Sequence, residues 1–163
     1  MTRAPDQVRQ ALVPVDGSEA SLQALALACS VVRRNRGKVY IVHVIEVARS
    51  LPLDAELTAE TEEGERILRQ AESLAKHYDC QAEGELLQAR DAGHAIVDEA
   101  IERDVEAIIM GVEVEEMEGG YEWPTAGKPK PVASEIPLGR VARYVLQHAP
   151  CQVWLVRSSL RKP

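Results

Sequence analysis

Phenylalanine is absent from this 163-residue chain, and aromatic residues of every kind make up only 4% of it. Hydrophobic residues still reach 45%, which excludes a disordered chain. The core must therefore be built from Val, Ile, Leu and Ala, a composition that suits a parallel sheet covered by helices. Cysteine is scarce: Cys29, Cys80 and Cys151 form no CxxC pair and sit in apolar patterns. Reduced, buried, structural thiols of a cytoplasmic protein are expected, with no redox or metal role. No apolar run approaches the length of a membrane span, and Met1 to Gln7 carries no apolar signal core, so a soluble protein that is not exported is expected. Positive charge is in short supply too. A net charge of −7 at pH 7 argues against broad contact with nucleic acid or an anionic membrane, and in the simplest reading serves solubility. The length suits one domain over residues 1–163.

Strand and helix signals alternate along the chain. Val8 to Val15 is a short apolar run that stops at Asp16-Gly17-Ser18, a strand followed by a turn. Leu22, Leu25, Ala26, Cys29 and Val32 then recur at helical spacing, with Gly37 where a helix C-cap is wanted. Lys38 to Ile45 is rich in β-branched residues and predicts a second buried strand, and Glu46 to Leu57 a loop broken by Pro52. Thr58 to Tyr78 predicts a helix with Ile67, Leu68, Ala71, Leu74, Ala75 and Tyr78 in one stripe, and Cys80 to Ala89 a third strand near a sheet edge. A helix over Ala92 to Arg103, a strand over Val105 to Gly111, a closing helix over Leu138 to Ala149 and a last strand over Cys151 to Val156 complete the pattern. Such alternation implies βαβ units with right-handed crossovers and a parallel sheet with helices on both faces. Ligands in open sheets of this kind bind beyond the carboxyl ends of the strands, where the winding direction switches. Asp16, Val44, Gly111 and Gly139 all fall on that rim.

Val13-Pro-Val-Asp-Gly-Ser18, His43-Val-Ile45, Ile108-Ile-Met-Gly111, and Leu138-Gly-Arg-Val-Ala leading through His148-Ala-Pro-Cys151 to Val153-Trp-Leu-Val-Arg157 together resemble the universal stress protein family. The resemblance spans nearly the whole chain in order. It implies an open, five-stranded, parallel, Rossmann-like α/β sheet in strand order 3-2-1-4-5, a stress-response or regulatory role, and a homodimer joined through the last strand, Cys151 to Val156. It also implies one of two subgroups, those that bind ATP or AMP and those that do not. The nucleotide-binding pattern of the family is Gly, two residues, Gly, nine residues, then Gly followed by Ser or Thr, with a second hydroxyl soon after.

Only part of that pattern is present. Gly111 and Gly139 match the outer glycines, but Val114 stands at the middle one, Arg140 replaces the first hydroxyl residue and Ala142 the second. The stretch between the outer glycines is about 15 residues longer than the pattern, an insertion that falls at residues 112–137. Asp16 matches the family aspartate that contacts the nucleoside, and Val44 the strand-end residue whose backbone meets the base. The resemblance thus assigns an adenine nucleotide, ATP or AMP, to a degenerate site made by Pro14, Val15, Asp16, Val44, Met110, Gly111, Gly139 and Arg140, with the phosphate half rebuilt.

Plainer roles compete at each position. Asp16 before Gly-Ser can cap the following helix. Arg140 at a helix N-terminus opposes the dipole; it either donates to a phosphate or pairs with the acidic insert, Glu113, Glu115, Glu116 and Glu118, and the ion pair is slightly favoured. Tyr121 to Pro131, with Trp123, Lys128 and Lys130 among prolines, can act as a lid, as a partner-binding loop or as a loop with no dedicated role. Ala126-Gly-Lys128 is no phosphate loop, because Glu122 and Pro129 stand where Gly and Ser or Thr are required. His94 and Asp98 share a helix face without metal-ligand spacing, and no catalytic residue is identified. Besides a binding module, two readings stay open: a protein-interaction module acting through the insert, and a weak ATP hydrolase.

Overall fold

The computed structural model describes residues 4–113 and 138–158. The expectations for Val114, for the acidic run beyond Glu113 and for Tyr121 to Pro131 lie outside these residues. After a short 3-10 turn at Pro5–Gln7 come β1 (Gln10–Pro14), α1 (Glu19–Arg34), β2 (Lys38–Glu46), α2 (Thr58–His77), β3 (Gln81–Ala89), α3 (Ala92–Glu102), β4 (Ala107–Val112), α4 (Arg140–His148) and β5 (Gln152–Arg157). These match the elements read from periodicity, with shifts of one or two residues at most strand ends. Val112, placed in the insertion by the sequence, still belongs to β4 and lies opposite Arg157 of β5.

All five strands are parallel, in the order β3-β2-β1-β4-β5. The two central strands are the most apolar: β1 buries Ala11, Leu12 and Val13, and β4 buries Ala107 to Met110. Burial on both sides follows from helices on both faces. One layer packs Leu25, Cys29 and Val32 of α1 and Ile67, Leu68 and Ala71 of α2 against Val13, Ile41 and Ile109. The opposite layer packs Ile96, Val97 and Ala100 of α3 and Ala142 and Val145 of α4 against Leu12, Val42 and Ile108. Side-chain alternation along β1 thus sends Val13 to one core and Leu12 to the other. Cys29 and Cys80 share the first core, Cys151 borders the second, and all three thiols are free.

The helix endings correct one expectation. Gly37 is not the left-handed residue that closes α1. Arg36 takes that conformation (φ 53°), while the Arg36 N–H donates to Arg33 O at 3.1 Å and the Gly37 N–H to Val32 O at 3.0 Å. This is a Schellman closure displaced by one residue from the glycine. Gly37 is needed for space, since a β-carbon there would lie 1.9 Å from the Arg9 carbonyl oxygen. The ends of α2 and α3 repeat the arrangement, with Asp79 (φ 54°) and Asp104 (φ 50°) left-handed and with Cys80 N donating to Ala75 O and Val105 N to Ala100 O.

At the other end of the sheet, a β-carbon on Gly111 would lie 2.2 Å from Ala20 C and 2.4 Å from Ser21 N, in the first turn of α1. Backbone cannot give way as a flexible side chain can. Gly111→Ala is therefore expected to destabilise the fold by about 1–3 kcal/mol, the usual range for overpacking, read as a lowered urea midpoint. A midpoint equal to wild type would show that α1 can retreat without cost.

Candidate functional site

Three strands deliver their last residues to one place. β1 ends at Pro14 and hands over to Val15 and Asp16, β2 brings Val42 to Glu46, and β4 brings Met110 to Val112. The Val15 N–H donates to Val42 O at 2.8 Å. His43 Nδ1 lies 2.7 Å from the Val15 carbonyl oxygen, so Nδ1 carries the proton, because a carbonyl only accepts. These two bonds fix the β1 exit against β2. The site forms where β4 leaves the opposite side of β1 from β2, the switch point of a doubly wound sheet.

A cavity of about 490 Å³ occupies this position. Pro14, Val15, Asp16, Val44, Met110, Gly111, Gly139 and Arg140, the eight residues drawn from the sequence, all line it. It is also lined by residues that sequence reasoning did not select, among them Ser18, Ser21, His43, Glu46 and Ile96, and by Glu113, the first residue of the acidic run. Ser18 closes the turn after Asp16, Ser21 lies in the first turn of α1, and Glu46 is the last residue of β2, so rim position was the available signal for them.

The turn after β1 shows what Asp16 does. Its Oδ1 accepts from the Ser18 N–H at 2.9 Å, and Gly17 between them has φ 85°, a left-handed turn conformation that favours glycine. The cap of α1 is Ser18, whose Oγ accepts from the Ser21 N–H at 3.2 Å. This corrects the capping role offered for Asp16: the aspartate organises the turn, and the serine caps the helix. The Asp16 carboxylate stays exposed at the mouth. Desolvation by surrounding protein pushes its pKa up, but hydrogen bonds from Ser18, from Ser21 and from its own backbone outweigh this and hold it below the ordinary value.

Among the described residues, Arg140 pairs with carboxylates that lie outside the insert. Its Nη2 donates to Glu46 Oε1 and Oε2 at 2.9 and 3.0 Å, and its Nη1 to Asp91 Oδ2 at 2.6 Å. The ion pair was expected; the partners were not, since they come from the end of β2 and the start of α3. Asp91 has a second task as the N-cap of α3, its Oδ1 accepting from the His94 N–H at 3.0 Å and facing His94 Nδ1 at 2.8 Å. The side-chain and backbone bonds to His94, with Arg140 adding its charge, hold the Asp91 carboxyl below the usual range. His94 therefore works with Asp91, three residues before it, and not with Asp98. Among the described residues no group of three or more His, Cys, Asp or Glu converges as a metal site would, and no helix is long and apolar enough to cross a membrane.

Gly139, the N-cap of α4, has φ −59°, and no side chain caps the helix. A β-carbon there would meet nothing within 4 Å among the described residues. Gly111 is thus explained by packing; Gly139 meets no such crowding among the described residues, and glycine suits its N-cap position.

A carboxyl whose pKa is lower folded than unfolded adds stability that is complete above the unfolded value and is lost as pH falls through the folded one. For Asp16 the unfolded reference is 3.8. Urea midpoints measured from about pH 7 down to about pH 3 should therefore fall less steeply in Asp16→Asn than in wild type. Identical slopes would show that the turn contributes nothing to acid sensitivity.

Comparison with known proteins agrees with this geometry. The model of the universal stress protein family matches residues 7–157. A universal stress protein of Methanocaldococcus jannaschii is 28% identical over 155 residues, covering 91% of this chain and 82% of that protein. The solved structure of universal stress protein UspA from Lactobacillus plantarum is 25% identical with a TM-score of 0.69, covering 93% of this chain and 99% of that one. The universal stress protein of Archaeoglobus fulgidus in complex with dAMP is 23% identical with a TM-score of 0.67, covering 92% and 98%. With its strand order, its switch-point cavity and a family match over almost its full length, this chain belongs to the universal stress protein family.

Proposed function

We propose that this chain is a stress-response binding module whose switch-point cavity takes an adenine nucleotide, held chiefly by its nucleoside. The observation that carries the reading is the single cavity wall formed by Pro14, Val15, Asp16, Val44, Met110, Gly111, Gly139 and Arg140. In this reading the backbone around Val44 meets the base, Asp16 accepts from a ribose hydroxyl with the oxygen capacity left beyond its bond to Ser18, and the ligand's phosphate end lies toward Gly139 and Arg140. The A. fulgidus relative, solved with dAMP, lends support from within the family. Gly139 lends more: no described residue crowds it, and besides suiting the N-cap of α4, a glycine there lets a ligand approach the α4 backbone.

Nucleotide released from the purified protein, followed by titration calorimetry with AMP and ATP, tests the reading. Asp16→Ala should weaken binding by about tenfold, the scale of one lost charged hydrogen bond. Gly139→Ala should weaken binding while lowering the urea midpoint only by the small cost of an alanine N-cap, less than Gly111→Ala does. No released nucleotide and no heat with any adenine ligand would overturn the assignment.

The place of β5 at the end of the strand order supports a second element of the reading, pairing with another copy through Cys151 to Val156. Val153, Trp154, Leu155 and Val156 stay half-buried at the sheet edge, and an edge strand invites a partner strand. Sedimentation equilibrium should give twice the chain mass of 17.9 kDa; the monomer mass at micromolar concentration would exclude this pairing.

A further inference from the structure

The charge of the cavity mouth bears on which adenine ligand enters. Among the described residues the lining carries three carboxylates, Asp16, Glu46 and Glu113, against one guanidinium, Arg140. That guanidinium is already engaged by Glu46 and by Asp91 through three hydrogen bonds of 2.6 to 3.0 Å. His43 adds no free donor at Nδ1, which is spent on the Val15 carbonyl.

A guanidinium has five N–H donors, so a phosphate can join Arg140 without displacing a carboxylate. It then stands beside Glu46 and Asp91, gaining one charged contact while creating like-charge ones. The N-terminus of α4 offers about half a positive charge, too little to offset the carboxylates that remain. Adenine and ribose, being uncharged, meet none of this opposition, and the apolar walls of Val15, Val44, Ile96 and Met110 are indifferent to it.

We propose that the Glu46–Arg140–Asp91 clasp makes this site rank adenine ligands by charge, adenosine above AMP and AMP above ATP. The inference rests on the adenine-site reading and adds to it a selection against phosphate. Glu46 and Asp91 are then specificity-determining residues. They act by neutralising Arg140, the guanidinium that among the described lining residues would otherwise reward a phosphate.

Calorimetry on the full chain with adenosine, AMP and ATP, at low ionic strength and without added divalent metal, tests the ranking directly. Each step should weaken binding by about fivefold or more, and raising the salt to about 0.5 M should narrow both steps, because exposed charges are screened. Glu46→Gln frees part of Arg140 and should shrink the adenosine-to-AMP ratio. Asp91→Asn should shrink it too, and gives a second reading should Glu46→Gln fold poorly. AMP or ATP binding more tightly than adenosine in the wild-type chain would overturn the charge ranking while leaving the adenine site standing. No heat with any of the three ligands would overturn both.

Discussion

Gly111 and the first turn of α1 meet backbone to backbone, and the site depends on that approach. With no side chain at the end of β4, Ala20 and Ser21 come within a distance that a β-carbon would forbid. The approach draws the start of α1 down over the switch point. Ser21, 3% exposed, can then donate its hydroxyl to Ser18 O at 2.9 Å and accept the Asp16 N–H at 3.5 Å. The Asp-Gly-Ser turn is clamped from both ends, by its own Asx bond and by the helix it starts. A glycine that looks like a ligand contact from its motif is thus first a packing residue, and the cavity is a consequence of the packing.

The architecture was legible because its signals are local and repeated. β-branched runs bounded by turn residues marked β1, β2 and β4, and stripes at helical spacing marked α1 to α3; each agrees with the burial observed. Helix ends were legible only by type. A glycine after α1 suggested a left-handed closure, yet Arg36 carries the positive φ and Gly37 clears the Arg9 carbonyl. Which of two adjacent residues turns left-handed depends on where the following strand must pass, and that is a tertiary constraint. α2 and α3 close in the same way on aspartates, residues that tolerate this conformation better than most.

Asp16, Val44, Gly111 and Gly139 could be placed on the rim because parallel topology sends every strand's carboxyl end to one edge, and the family resemblance supplied the other four of the eight. Their partners could not be named. Arg140 lies 94 residues from Glu46 and 49 from Asp91, and sequence proximity pointed instead to the acidic stretch that begins at Glu113. Charge pairing at a rim follows spatial adjacency. The rim collects residues from the end of β2, the start of α3 and the start of α4, so the nearest carboxylates to a basic residue there come from other elements.

Those partners also settle how α4 tolerates its own sequence. The helix has nine residues, no side-chain cap, no acid in its first turn and a cation at its first position, all unfavourable at an N-terminus. Glu46 and Asp91 supply from neighbouring elements the negative charge that the helix lacks locally. Burial of Ala142 and Val145 in the second core holds the other face. Structural need and ligand charge therefore draw on the same two carboxylates. Removing Glu46 or Asp91 would free Arg140 for a phosphate but also remove negative charge that lets Arg140 begin a helix, and this coupling separates a phosphate half built around an arginine from one built on hydroxyls. A hydroxyl at the same place would need no counter-charge, and would leave the helix N–H groups open to an anion.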